Sequence, residues 1–410
     1  MTRARIHKVM HVLIVGLGYV GLPTALAFLE AGCRVTGYDV SAARLAAIAR
    51  GQVDLSPLDH ARLRFHRLET TADPTAVAAA DAVVICVPTP VDEHHVPDLS
   101  ALRAACGTVV AHAVPGQLVI LTSTTYVGST RDLLIDHLSG VDVVFSPERV
   151  DPGPGGRPLE HSPRVLGPAS AKAGDRAEEL LKRVAPSVHR VSSPEAAELC
   201  KLLENSFRAV NIALANEFAD IAREVGVDPV EVIEAAATKP FGFMRFDPGP
   251  GVGGQCVPSD PYYLLWRLRR AAPTVLTAAM GAIAARPQAV VGRALEMLAA
   301  AGRDIRDAKV LVAGVSYKPG VADARETPAM PIIAALRRLG ARAEFTDPLV
   351  EELVVGEERL KRAPDPRGEP WDLVIVHTLG GDLGWLRPQQ PVLDATYRLE
   401  RPGDSRWEVP

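Results

Sequence analysis

The stretch HVLIV, then Gly16, Gly18 and Gly21, then LPTALAFLEAG and CRVTGYD constrains this chain more than any other, because it reads as strand, glycine turn, helix and strand in the order of a βαβ unit. Residues 11 to 15 form a short apolar run suited to a buried strand, and the helix is expected to end at Gly32. The three glycines make G-x-G-x-x-G: the first permits a tight turn, the second lets backbone N–H groups reach a pyrophosphate, and the third lets the helix pack closely. Asp39 follows 18 residues after Gly21, at the end of the second strand. A carboxylate there accepts hydrogen bonds from ribose hydroxyls and repels a 2′-phosphate, so NAD is expected rather than NADP.

Further apolar runs at 81 to 90 (DAVVICVPTP), 116 to 125 (GQLVILTSTT) and 141 to 148 (VDVVFSPE) alternate with helical stretches, as a parallel sheet covered on both faces requires. The pattern changes at Ser192, which can cap a helix with Glu195 as capping-box partner and Pro194 in the first turn. That helix is expected to run unbroken to Gly226; roughly 30 residues at ~1.5 Å each span ~45 Å, enough for a spine between domains and for a dimerisation surface. KVLVAGVSYKPG at 309 to 320, GARAEFTDP at 340 to 348 and WDLVIVHT at 371 to 378 mirror the opening strands. Gly314 to Asp347 spans 33 residues against 23 from Gly16 to Asp39, and the later copy lacks the dinucleotide glycines. The expected architecture is α/β: two Rossmann-like, doubly wound parallel-sheet domains (1–191 and 303–410) joined by a long central helix and a small helical domain (192–302).

Composition narrows the partners. Among 410 residues, 45 basic against 49 acidic side chains give a net charge of -4 without long runs of one sign, which argues against nucleic acid. Five cysteines without a C-x-x-C pair point to reduced thiols and a cytoplasmic protein. The basic start MTRARIHKVM before an apolar stretch has the look of a signal peptide, but the glycine spacing and Glu30 favour the βαβ reading. No stretch of about 20 uncharged apolar residues follows, so no membrane span is expected. The eleven histidines form no ligand cluster, and no metal is implied.

Cys256 stands apart from the other cysteines because PGPGVGGQCVPSDP forbids regular structure, so a substrate can approach the backbone and the thiol suits a nucleophile; the alternative is a small hydrophobe plugging a loop. Lys201, Asn205 and Arg208 recur at helical spacing beside Leu202, Leu203, Phe207, Val210 and Leu214. They form either a stripe facing one pocket or a solvated face laced by Lys201–Glu204 and Glu204–Arg208 pairs. Glu148, at the carboxyl end of a strand, is either a base that activates water or half of an ordinary pair with Arg149. Thr89 and Thr124 end neighbouring strands, where a cofactor or a reacting hydroxyl would lie.

GLGYVGLP, VPTP, STT, SPERVDPG, K-x-x-x-N, TKPFGFMRFDPGPGVGGQC and SYKP followed by DARETP occur in one order along the chain. Together they resemble the UDP-glucose/GDP-mannose 6-dehydrogenase family, and SPERVDPG with the cysteine segment is most similar to its UDP-N-acetylhexosamine branch. The resemblance implies an NAD-dependent four-electron oxidation of the C6 hydroxymethyl of a UDP-sugar, UDP-N-acetylglucosamine or a relative such as the mannosamine epimer, through a thiohemiacetal and a thioester on Cys256. It implies that Lys201 stabilises the alkoxide and oxyanion, Asn205 orients substrate and water, Asp260 holds that water with Thr124, and Glu148 is the base. Gly16, Gly18, Tyr19, Val20, Gly21, Asp39, Arg44, Thr89, Thr124 and Arg325 would meet NAD. Substrate contacts would come from Glu148, Arg149, Val150, Lys201, Asn205 and Arg208, and from Phe243, Arg245, Gly253, Tyr317 and Lys318, with Arg245 reaching a neighbouring subunit of a homodimer. The sequence departs from this pattern at Gln255, at IAARPQ (283 to 288), which lacks the branch's usual polar residues, and at Thr396, where Arg398 is the substitute for an arginine. UDP-glucose is the competing substrate, a two-electron hydroxyacid-type dehydrogenase the competing enzyme, and a nucleotide-sensing protein without turnover the competing class.

Overall fold

In a computed structural model, residues 9–53, 55–92, 94–149, 161–254, 256–268, 274–400, 402 and 407–410 are described. Val150, Gln255, the close of SPERVDPG and the basic N-terminal start lie outside the described residues. The chain divides into two compact units, Met1–Glu204 with Tyr262–Arg267, and Asn205–Pro261 with Leu268–Pro410.

The first unit is built on an eight-stranded sheet: β1 (His11–Val15), β2 (Arg34–Tyr38), β3 (Glu69–Thr71), β4 (Ala82–Ile85), β5 (Leu118–Leu121), β6 (Asp142–Phe145), β7 (Arg164–Pro168) and β8 (Val188–Arg190). Their order is β3-β2-β1-β4-β5-β6-β7-β8, so the winding reverses between β1 and β4, the place where sheets of this kind bind ligands. The helices of this unit are α1 (Gly21–Glu30), α2 (Ala42–Ala49), α3 (Pro57–Phe65), α4 (Ala76–Ala79), α5 (Ser100–His112), α6 (Ser129–Leu133) and α7 (Ala171–Leu181). Val12 and Ile14 face a core with Leu22 and Leu26 of α1, whereas Leu13 and Val15 face the opposite core with Leu102 and Val109 of α5. Burial on both faces is why β1 reads as a continuous apolar run. The sheet is not parallel throughout: β7 runs antiparallel to β6.

The spine is α8 (Pro194–Glu224), 31 residues long, and the division between the units falls within it. Its cap is Ser193 rather than Ser192: the Ser193 Oγ accepts the Ala196 N–H at 3.2 Å, which puts Pro194 at the first helical position. Glu195 is drawn to Arg131, at 2.9 Å. Gly226, at φ +75°, ends the helix as the spacing predicts.

The second unit also contains α9 (Pro229–Ala237), α11 (Thr274–Ala300) and α12 (Ala329–Arg338), while α10 (Asp260–Arg267) starts in it and continues into the first. Its strands are β9 (Lys309–Ala313), β10 (Arg342–Thr346), β11 (Glu352–Val355), β12 (Glu358–Lys361), β13 (Leu373–Val376), β14 (Val392–Asp394) and β15 (Trp407–Glu408). A parallel sheet runs β10-β9-β13-β14-β15, and β11 with β12 makes a separate hairpin. By length and composition alone α11 could cross a membrane, but Arg286, Arg293 and Glu296 interrupt it, so it holds no stretch of about 20 uncharged residues. Val290, Val291, Ala294 and Leu298 on it join Val310, Ile332 and Leu336 in the core over β9.

Candidate active site

In the first unit, the sequence G-x-G-x-x-G becomes a turn whose glycines have separate reasons. Gly16 sits at φ +89°, and its N–H donates to the Tyr38 carbonyl at 2.8 Å. A Cβ on Gly21 would stand 1.8 Å from the Gly16 carbonyl oxygen, so no larger residue fits where α1 begins. A Cβ on Gly18 would meet nothing within 4 Å, which leaves open space beside the amides at the helix start. That space and those N–H groups fit a pyrophosphate. The Asp39 carboxylate accepts the Leu17 and Ser41 amides, each at 2.8 Å and on different oxygens, so each oxygen keeps acceptor capacity toward a ribose. Arg44 supports the turn from behind by donating its Nε–H to the Leu17 carbonyl at 2.8 Å. Tyr19 is half-buried and Val20 is exposed on the same turn.

At the adjoining strand ends, the Thr89 hydroxyl donates to the Thr124 carbonyl at 2.6 Å, and the buried Tyr263 donates to the Thr89 carbonyl at 3.0 Å. Glu148 pairs at 2.6 Å with the guanidinium of the buried Arg164 and accepts only the backbone N–H of Arg149, at 2.8 Å, while the Arg149 guanidinium pairs at 2.6 Å with Glu204. The pairing left open by the sequence is thus real but redistributed. Glu204 is drawn to Arg149 instead of to Lys201 or Arg208. Lys201 and Asn205 are buried and Arg208 is exposed, so the stripe is not a uniformly solvated face.

In the second unit, Cys256 is exposed, whereas Cys33, Cys86 and Cys106 are buried and Cys200 is half-buried. Burial raises the thiol pKa of all four others, to about 12 for Cys86 and Cys106. Exposure alone singles out Cys256 as the thiol able to meet a substrate. Its carbonyl accepts the Asp260 N–H at 2.9 Å, which ties the loop to the start of α10. The Asp260 carboxylate in turn accepts the Asn205 side-chain amide at 2.5 Å, and both residues are buried. Thiol, carboxylate and amide are therefore joined through backbone and side chain.

The glycines before the cysteine are required by close packing: a Cβ on Gly253 would come 2.8 Å from the Tyr317 Cβ, and Gly254, at φ +80°, donates to the Arg325 carbonyl at 3.1 Å. The Arg325 guanidinium itself grips Asp323 with two short hydrogen bonds, 2.6 and 2.9 Å. Burial pushes the Asp323 carboxyl up, but the arginine outweighs it and leaves it below the usual range. Arg245 pairs with Asp247 at 2.8 Å and Phe243 is exposed. A cavity of about 150 Å³ opens beside this segment, lined by Asp247, Gly249, Tyr317, His377, Thr396 and Arg398 among others. Burial pushes the His377 pKa down to about 4. Its Nδ1 lies 2.8 Å from the Thr378 hydroxyl, whose proton goes to the Ser316 carbonyl, so Nδ1 is the donor and Nε2 the bare acceptor.

Three family models cover most of the chain: the NAD binding domain of UDP-glucose/GDP-mannose dehydrogenases over residues 10–185, the central domain over 195–283 and the UDP binding domain over 311–384. A UDP-N-acetyl-D-mannosamine dehydrogenase of Pyrococcus horikoshii is 35% identical over 377 residues, covering 87% of this chain and 89% of its own length. The chain belongs to the UDP-glucose/GDP-mannose dehydrogenase family.

A UDP-D-ManNAc dehydrogenase structure from the same archaeon matches at a TM-score of 0.88 and 30% identity, over 98% of this chain and 99% of that one. A UDP-glucose dehydrogenase structure from Pyrobaculum islandicum matches at 0.86 and 26%, over 100% and 98%. Family membership makes NAD the cofactor and a UDP-sugar the substrate class. The Gly16–Gly21 turn lies in the NAD binding segment, and Tyr317, Lys318 and His377 lie in the UDP binding segment.

Sequence reasoning missed three residues in these surroundings. Glu198, buried on α8, accepts the Gly128 and Thr130 amides and two hydroxyls at 2.6 to 3.0 Å, holding the start of α6. His377 carried no motif. Arg286 lies in the segment read as short of polar residues, yet it is 3% exposed and donates to three different partners. Among the described residues no cluster of His, Cys, Asp or Glu could hold a metal ion.

Proposed function

We propose that this family member oxidises the C6 hydroxymethyl of a UDP-N-acetylhexosamine to the carboxylate through a covalent intermediate on Cys256. The single observation that carries the reading is an exposed thiol tied to a buried Asp260–Asn205 pair. Bound NAD supplies a hydride acceptor, used twice per sugar. The Cys256 thiolate adds to the C6 aldehyde, and Lys201 stabilises first the alkoxide and later the oxyanion. Loss of a second hydride from the thiohemiacetal leaves a thioester. Water held by Asp260 and Thr124, and deprotonated by Glu148, then releases the uronate and the thiol. The sum is one alcohol, two NAD⁺ and one water giving one carboxylate, two NADH and three protons. Lys201 and Asn205, buried one turn apart on α8, suit these roles better than the exposed Arg208, which is left as a substrate contact at the rim. Arg325 would meet NAD only after exchanging its Asp323 partner.

Because relatives are named UDP-N-acetyl-D-mannosamine dehydrogenase, UDP-N-acetylmannosamine is the first sugar to test beside UDP-N-acetylglucosamine, and the likeness to the Pyrobaculum structure supports UDP-glucose as the second reading. The described part of α8 exposes Leu203, Phe207, Leu214, Phe218 and Ile221 at intervals of three, four or seven residues. An apolar stripe of this kind fits a homodimer built on the spine. The three-domain division at 191 and 302, and a cytoplasmic location matching reduced thiols, NAD and a nucleotide sugar, complete the proposal.

The test is NADH counted per sugar consumed across UDP-N-acetylhexosamines and UDP-glucose. Two equivalents are expected from wild type; one equivalent would indicate a simple alcohol oxidation and sink the cysteine route. Cys256→Ser is expected to lower uronate formation at least about a thousand-fold.

A further inference from the structure

Two walls of the 150 Å³ cavity of the second unit are unrelated chain, the loop from Asp247 to Gly251 and the turn that carries Thr396 and Arg398, while Tyr317, Pro328 and His377 are among the residues that line the rest. Neither wall belongs to a helix or strand; at the rim Arg398 of one pairs at 3.0 Å with Asp247 of the other, and the Asp394 carboxylate accepts the Thr396 and Arg398 amides, each at 2.9 Å. One buried side chain reaches both. The Arg286 Nε–H donates to the Gly249 carbonyl at 3.0 Å, one terminal nitrogen to the Tyr397 hydroxyl at 2.6 Å, and the other to Asp220 on α8 at 2.7 Å. The N–H of Gly249 is held as well, by the Asn216 side-chain oxygen at 2.9 Å. Both polar groups of Gly249 are thus fixed from behind the wall. On the other side Tyr397 sits at φ +58°, a conformation a tyrosine keeps only when its surroundings impose it.

Burying a guanidinium is costly, and Asp220, whose side chain is 45% exposed, compensates it only in part. A methionine would fill such a core position without that cost, so stability alone does not explain the charge. Three N–H groups in a rigid fork hold three segments in one geometry, which lysine cannot do. On the reading that the UDP end of the substrate occupies this cavity, we infer that Arg286 is a positioning residue that sets nucleotide affinity by preorganising both cavity walls. The benefit appears as binding, because walls already ordered lose less freedom when the ligand arrives.

Titration calorimetry with UDP on the full chain, alongside NAD titration and thermal melting, tests this on Arg286→Met, Arg286→Lys and Tyr397→Phe. Arg286→Met is expected to weaken UDP about ten-fold or more while NAD affinity stays within about two-fold, and to raise the sugar KM far more than it lowers kcat. Arg286→Lys should fall between, and Tyr397→Phe should weaken UDP about three-fold, which keeps the question open to measurement should the methionine variant not fold. UDP affinity at the wild-type value in folded Arg286→Lys and Tyr397→Phe overturns the role of Arg286, as does equal weakening of UDP and NAD. Wild-type protein that binds NAD but no UDP instead overturns the nucleotide reading itself.

Discussion

Gly16 at the end of β1 and Gly314 at the end of β9 stand at the same point of two Rossmann-like turns, with φ +89° and +77°, and each donates its N–H at 2.8 Å to the last residue of the neighbouring strand. In both turns an acid after that neighbouring strand, Asp39 or Asp347, accepts amides from the residues following the glycine. There the likeness stops. Asp39 takes two amides and is half-buried; Asp347 takes four, from Val315, Ser316, Leu349 and Val350, and is 2% exposed. Helix α1 begins at Gly21, whereas α12 begins only at Ala329. The acid is first a device that pins a turn, and it becomes a ligand only where lone pairs are left over and a helix start lies close by.

Exchanging the glycines breaks the comparison most severely. Gly21→Ala puts a Cβ against the Gly16 carbonyl, so NAD affinity is expected to fall at least about a hundred-fold in fluorescence titration while UDP binding persists. Gly314→Ala would press on the Thr378 carbonyl at 2.0 Å and force a strained φ. Its expected signature is a lower melting temperature and weaker UDP binding with NAD affinity retained. If both variants lost both ligands together, the two turns would not be independent.

The acids give the next largest effect. Asp39→Asn should weaken NAD about ten-fold, the value of one charged hydrogen bond, and narrow the preference over NADP by removing the repelling charge. Asp347→Asn turns an NH₂ toward amide donors, and should lower unfolding free energy by about 2 to 4 kcal/mol with little change in NAD affinity. Comparable loss of NAD affinity in the two variants would refute the division of roles.

The same comparison shows which features a sequence exposes. The β1–α1–β2 unit was legible because each signal is local: apolar run, glycine spacing, helix and acid all fall within 29 consecutive residues, from His11 to Asp39. The mirrored strands of the second unit were legible for the same reason, as was the length of α8. The antiparallel run of β7 was not, because strand direction is decided by where the chain returns, and the shift of the cap from Ser192 to Ser193 turned on a single hydrogen bond. Cys256 was found through its neighbours, whereas Arg286 was hidden because its partners lie 37, 66 and 111 residues away. Glu148 shows the intermediate case: the sequence offered Arg149 as its partner, and the fold supplied Arg164 from an adjacent strand.

The smallest effect comes from a second pair of matched positions. Cys86 after β4 donates its N–H to Val15 at 2.8 Å, and His377 after β13 donates to Ala313 at 2.9 Å, so each follows the strand beside the glycine turn. Both are buried titratable groups shifted toward neutrality, Cys86 up to about 12 and His377 down from 6.5 to about 4, but they report on opposite ends of the pH scale. The folded state holds His377 neutral while the unfolded chain protonates it below 6.5, so the unfolded state binds more protons between those limits. Stability of the second unit is therefore full above pH 6.5, declines as pH falls, and stops declining from this cause below about 4. The loss is on the order of 3 kcal/mol, from the fall between 6.5 and about 4. Urea titrations from pH 7 to pH 4 should show it in wild type, and His377→Gln should flatten that slope while leaving the alkaline side, where Cys86 ionises, unchanged. An identical slope in the variant would assign the acid sensitivity to other groups and leave the two strand ends alike in geometry only.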